Sequence, residues 1–457
     1  MPASAPDAAA YRLVWRWHFY AGVVVMPFLL LLALTGGLYL FKDEIDQALY
    51  RDLIRVPPST QQASPDAWAS AAERAAGGRA ASVIVPARAD QAVRVRVDRA
   101  DGEQRTVFVD PHMARVTGST SVGGVNETIK RLHSLTLFGP VMNVVVEIVA
   151  GWAIILCATG FYLWLPRGRP VGAVTITDTD VRRRPFWRDL HAITGLYVGA
   201  VILFLAVTGM PWSAVWGQQV MGWVRESGLG RPPAPVAGAW HRAQGHDRPT
   251  GAGWTLDHAA LTVSGHSRHT ATSSLAVVIQ AAERASVERP YAVTIPSDPA
   301  TAYTVTHQTR QVENTRSLYV DGRSGAVVDD IGYARFGPVG KAVDWGVAVH
   351  QGLQYGQINR LIMLAGCIGV WVLAISGLMM WWRRRPPSLS RGRLNAPPPL
   401  AGSRARTAVV CIVAPLAVLF PLTGASVVAA LLIERAVRGL RRFAPRAQIH
   451  CTERIAS

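Results

Sequence analysis

The architecture of the chain turns on WRWHFYAGVVVMPFLLLLALTG, residues 15–36. It sets His18 at the head of an apolar run that carries no charge until Lys42. A run of roughly 18 or more apolar residues is long enough to cross a ~30 Å hydrocarbon layer as a helix, and ionisable residues at or inside such runs are uncommon and tend to be functional. This run covers 21–41, and others follow at 142–165, 192–216, 361–382 and 407–433. The first lacks a small-residue cleavage site and leads into FKDEIDQ, so it reads as a retained span rather than a signal peptide.

The chain has 457 residues, half of them hydrophobic, and a formal net charge of +17. The charge does not point to nucleic acid. Much of the arginine flanks the apolar runs, in PRGRP (166–170), RRRPFWR (182–188) and WWRRRPP (381–387). Such flanking is what the positive-inside rule predicts for cytoplasmic loops. It puts the N-terminus and loops 166–190 and 383–406 in the cytoplasm, with 42–140 and 217–355 outside. Cys157, Cys367 and Cys411 lie in apolar runs and Cys451 in the tail, so the outside segments fold without disulfides.

The chain repeats itself. WRWHFYAG and WRDLHAITG open the first and third spans, so that His18 recurs as His191. Thr35-Gly36 follows His18 at the same spacing as Thr208-Gly209 follows His191. RLHSLTLFGP and AVHQGLQYG precede the second and fourth spans, so that His133 recurs as His350. Thr159-Gly160 and Ser376-Gly377 follow these two histidines at one common spacing. Outside, AAERA (71–75) recurs at 281–285, and TVFVDPHMARVTG matches SLYVDGRSGAVVD, aligning Asp110 with Asp321. Two spans per repeat return the chain to the same side, so the copies are parallel and related by an axis along the membrane normal. Each outside segment reads as a small α+β module. An alanine-rich helix (66–76, 274–285) precedes alternating strands such as AVRVRVDR and YAVTIPSD.

That axis keeps equivalent residues at equal depth. His18 pairs with His191 on the cytoplasmic side, and His133 with His350 on the outer side. Two facing imidazoles on neighbouring helices suit the axial positions of haem iron, and helix bundles build such sites between facing side chains. Arg12, Arg16 and Arg188 flank the inner pair, and Lys130, Arg131 and Arg360 the outer pair, placed for haem propionates. Gly22, Gly195, Gly36 and Gly209 are small enough to admit a ring or a backbone. Two histidines do not complete a four-ligand zinc site. Glu147, the carboxylate well inside a span, has Leu364 as its counterpart; a hydrogen bond, a proton relay and interhelical glue remain open for it. The insert 217–270 holds His241, His246, His258, His266 and His269 and reads first as a polar surface loop. Trp15, Trp17, Tyr20, Trp164, Trp187, Trp381 and Trp382 fit an interfacial aromatic belt.

HFYAG…LALTGGLYLF, RLHSLTLFG…ATGFYLWLPR, DLHAITGLY…AVTGMPW and AVHQGL…AISGLMMWWRR resemble the PepSY-associated transmembrane family of bacterial iron-regulated membrane proteins. The resemblance covers nearly the whole chain. TVFVDPHMARVTG and SLYVDGRSGAVVD look like the closing strands of PepSY modules. Some members are haem-containing ferrisiderophore reductases of the inner membrane. The resemblance therefore implies electron delivery to Fe(III)–siderophore in the periplasm, where Fe(II) is held more weakly by hard oxygen ligands. It also implies that His18, His133, His191 and His350 are haem ligands.

The expectation is a polytopic α-helical membrane protein with four core spans in two parallel repeats and two periplasmic α+β PepSY-like domains. Its parts are the N-terminus and span 1 (1–41), domain 1 (42–140), span 2 (141–165), a basic loop (166–190) and span 3 (191–216). The insert (217–270), domain 2 (271–355), span 4 (356–382) and a second basic loop (383–406) follow. The stretch 407–433, with Pro415 and Pro421, reads as a fifth span by its length or as a re-entrant hairpin, ahead of the basic tail 434–457. The expected function is a di-haem b electron-transfer protein of the bacterial inner membrane. No GxGxxG follows a strand and opens a helix, so the donor is a quinol or a separate reductase. The rival is a non-enzymatic membrane-anchored modulator of a protease or assembly factor, since PepSY modules resemble inhibitory or chaperone-like domains.

Overall fold

The computed structural model describes residues 5–139, 141–165, 174–234, 273–298, 301–384, 414–415 and 417–443. The readings of basic loops 166–173 and 385–406, the five insert histidines, 407–413 and the tail beyond Phe443 lie outside the described residues.

Four of the described helices are long and apolar enough to cross a membrane. They are α1 (Ala5–Tyr39), α6 (Met142–Trp164), α7 (Arg184–Gly209) and α11 (Gly356–Arg384). Each satisfies its backbone hydrogen bonds internally, which an apolar solvent requires. Each packs on two others, α1 on α6, α6 on α7, α7 on α11 and α11 on α1, closing a ring. Small residues bring the backbones close. A Cβ on Gly366 would stand 2.7 Å from Val201 Cγ1, and one on Gly369 would overlap Val198.

Between the spans the chain builds α2 (Lys42–Leu49), α3 (Arg51–Ile54), α4 (Pro65–Ala76), β1 (Gly78–Val85), β2 (Val93–Arg99), β3 (Gln104–Val109), β4 (Val116–Ser121) and α5 (Gly124–His133). The second half adds α8 (Trp216–Glu226), α9 (Leu275–Arg284), β5 (Tyr291–Thr294), β6 (Tyr303–His307), β7 (Arg316–Val320), β8 (Val327–Gly332) and α10 (Pro338–His350). Local sequence explains α4 well. Ser64 accepts a hydrogen bond from Ala67 N, Pro65 starts the helix, and Gly77 ends it in the left-handed conformation at φ 68°.

The strand sets that the sequence divides between two modules join in one antiparallel sheet, ordered β4-β3-β2-β1-β5-β6-β7-β8. The seam is β1 (Gly78–Val85) against β5 (Tyr291–Thr294), with Val83 opposite Val293. Antiparallel pairing of equivalent strands is what a two-fold axis between them demands. The halves share their irregularities. A bulge between Phe108 and Val109 recurs between Tyr319 and Val320, at the same offset that aligns Asp110 with Asp321. Val93, Val95 and Val97 alternate with Arg94, Arg96 and Asp98, and the valines are fully buried in a core capped by α4 and α9. Asp66, at the start of α4, reaches across the halves to Leu275 N at 2.7 Å and Ser274 Oγ at 2.6 Å, capping α9. Joining the sheets hides two edges that separate modules would leave open.

A final helix, α12 (Pro421–Phe443), lies along α6. Thr423 meets Gly151, Ser426 Oγ accepts from Trp152 Nε1 at 2.9 Å, and Val427 packs with Ile155. Its charged second half, with Glu434 and Arg435, keeps it out of the set of described helices apolar enough to cross a membrane, and the stretch read as a fifth span or a re-entrant hairpin lies partly outside the described residues.

Candidate functional site

His18 and His191 sit near the end of the bundle remote from the sheet, on α1 and α7, which are opposite members of the ring. Their ring centroids are 6.3 Å apart with planes at 89°. Both line a cavity of about 1060 Å³ between the spans, with walls dominated by apolar side chains such as Met26, Leu156 and Leu373. Gly22 and Gly195 line it too, and a Cβ on Gly22 would meet nothing within 4 Å. His133 and His350 end α5 and α10 on the sheet side. Burial lowers their pKa to about 4 and about 3, the His133 ring adding to the effect on His350, so both stand neutral.

Each imidazole is held by a hydroxyl from another helix. His18 Nδ1 is 2.9 Å from Thr159 Oγ1, and His133 Nδ1 is 3.0 Å from Thr35 Oγ1. His191 Nδ1 is 3.0 Å from Ser376 Oγ, and His350 Nδ1 is 2.9 Å from Thr208 Oγ1. All four hydroxyls donate their own hydrogen to the carbonyl four residues back, at 2.6–2.7 Å. A hydroxyl has one hydrogen, so each must accept from Nδ1–H. His191 gives an independent check, because its Nδ1 also lies 3.1 Å from the carbonyl oxygen of Leu373, which only accepts. In the neutral ring this leaves the Nε2 lone pair unprotonated, and no protein group among the described residues bonds it. The glycine after each hydroxyl makes room for the ring. The imidazole Cε1 would lie 3.3–3.8 Å from a Cβ at Gly36, Gly160, Gly209 or Gly377.

The arginines sort differently from the sequence expectation. Arg12 and Arg188 line the cavity, with Arg188 Nε bonded to the buried Asp189 at 2.9 Å. Arg16 does not line it. Its guanidinium pairs with Glu434 at 2.9 Å and stacks on Tyr20. Arg131 is exposed on α5, Lys130 pairs with Glu127, and Arg360 pairs with Glu44. Arg184 and Arg384 line the cavity instead, with Arg384 over the rings of Trp15 and Phe19. In the sequence both look like topology-setting charge. The four Thr/Ser-Gly pairs were visible as markers of duplication, but their spacing did not show which histidine each one meets. Glu147 is fully buried, and its carboxylate accepts from Val215 N at 2.9 Å and Trp216 N at 3.2 Å, capping α8.

A membrane-embedded four-helix ring carrying an antiparallel extramembrane sheet defines the class of this protein. The chain belongs to the PepSY-associated TM region family, whose sequence model matches residues 15–384. No curated protein matches the chain.

Proposed function

We propose that this membrane protein binds two b-type haems, one between His18 and His191 and one between His133 and His350, and moves electrons across the bacterial inner membrane. The observation that carries the reading is the inner pair. Two imidazoles holding one iron between them, with iron–nitrogen bonds of about 2 Å, would have centroids roughly 6.3 Å apart, and the two rings stand 6.3 Å apart. Rings with a free Nε2, a glycine-lined apolar cavity and a cationic rim are the donor set and shape that a haem with two carboxylates needs.

When bound, haem supplies one-electron chemistry at iron. The chain's residues position it. The histidines offer an Nε2 that no protein group among the described residues bonds, and the hydroxyls hold the rings by their Nδ1–H. Apolar walls exclude water, and Arg12, Arg184, Arg188 and Arg384 offset carboxylate charge at the mouth. By the positive-inside rule the inner pair faces the cytoplasm and the sheet faces the periplasm. With haem held at both sites, electrons would pass from a quinol or a separate reductase, by way of the inner and outer sites, to a periplasmic acceptor. By family resemblance that acceptor is Fe(III)–siderophore, which takes one electron per iron.

The test is haem content of the purified protein. Two low-spin b haems per chain are expected, with His18→Ala removing one and His133→Ala the other. Colourless protein from haem-replete cells overturns the reading and favours the non-enzymatic PepSY modulator.

A further inference from the structure

We infer that Thr159, Ser376, Thr35 and Thr208 are positioning residues that impose one tautomer and one orientation on the four histidines, and so set how strongly each imidazole donates to a bound iron. This rests on the haem reading and assigns it four residues, each on a helix other than that of the histidine it meets.

The arrangement is the same four times. The hydroxyl hydrogen is spent on the i−4 carbonyl, as with Thr159 on Ile155 O and Ser376 on Val372 O. The oxygen is left as an acceptor for Nδ1–H. The alternative tautomer would set an Nδ1 lone pair against an oxygen lone pair and put its proton on Nε2, where a metal ligand must have none. The following glycine lets the Cε1 edge of the ring approach the helix that holds it, so the imidazole is fixed by a hydrogen bond and a close contact together. Polarising Nδ1–H also makes Nε2 the stronger donor, the usual effect of an outer partner on a metal-bound histidine. The braces link α1 to α6, α5 to α1, α7 to α11 and α10 to α7, so each site depends on two hydroxyls from two different helices.

The experiment uses the full chain in detergent, titrated with hemin, with haem retention, optical spectrum and reduction potential as readouts. Thr159→Val keeps the shape and removes the acceptor. It is expected to weaken inner-site retention about 10- to 100-fold and raise that site's potential, leaving the outer site unchanged. Thr159→Ser restores both. Thr208→Val shifts only the outer site, which supplies a second test should Thr159→Val fold poorly. Val variants with unaltered retention and potential overturn the inference while leaving the haem reading standing, provided His18→Ala loses the inner haem. Wild-type protein that takes up no hemin overturns both.

Discussion

The imidazoles of His18 and His191 stand 6.3 Å apart between centroids, with planes crossed at 89°. Should a haem iron be held by both rings in this crossed orientation, two of its d orbitals would be nearly degenerate, and the oxidised inner site would give a strongly anisotropic low-spin EPR signal, unlike the rhombic signal of parallel planes. EPR of a His133→Ala variant, which isolates the inner site, checks this. A rhombic signal would show that the rings rotate on binding and that the crossed geometry is not the working one.

Glu147 caps α8 from inside the bundle, with no exposed surface. Glu147→Ala leaves the Val215 and Trp216 N–H groups buried without an acceptor, which costs about 1–3 kcal/mol. Glu147→Gln keeps one oxygen and loses less. Unfolding of both variants in detergent measures the difference, and an alanine variant as stable as the wild type would argue against the cap.

Helix α12 starts where Phe420 packs on Met210 and Trp216, near the sheet side, and descends α6 until Glu434 reaches Arg16. Arg16 lies just before His18 in the chain, at the end remote from the sheet. Glu434 therefore stands at the same end of the bundle as Arg16, the end that carries the N-terminal part of α1. Reporter fusions at the two termini are expected to report the cytoplasm alike. A periplasmic C-terminal reporter would restore the single fifth crossing.

Close approach of α7 and α11 depends on Gly369, whose Cβ would overlap Val198. Gly369→Leu should destabilise the bundle by roughly 1–3 kcal/mol through overpacking and widen the inner cavity. Thermal unfolding and hemin retention read the two effects separately. Neither changing would mean that the helices part at no cost.

The parts of the molecule legible in the sequence are those that a linear pattern encodes. Long apolar runs specify membrane helices because the thickness of the bilayer fixes their length. Alternation in Val93–Arg99 specifies a strand with one buried face. The recurrence of His18 at His191 and of His133 at His350 singled out the same four rings that the structure holds by hydroxyls. Arg16 misled because adjacency in sequence suggested service to His18, whereas a helix turns successive side chains about 100° apart. Its guanidinium instead meets Glu434, 418 residues away.

Hydropathy and charge along the chain thus mark the four core spans, and the recurring motifs pair His18 with His191 and His133 with His350. Folding alone decides that β1 joins β5 and that His18 meets Thr159 rather than the Thr35 of its own helix. The braced partners lie 98–185 residues apart, so no local periodicity relates them. Their meeting follows from how the four spans close into a ring, which depends on side-chain shape across helices and leaves no imprint on spacing within any one of them.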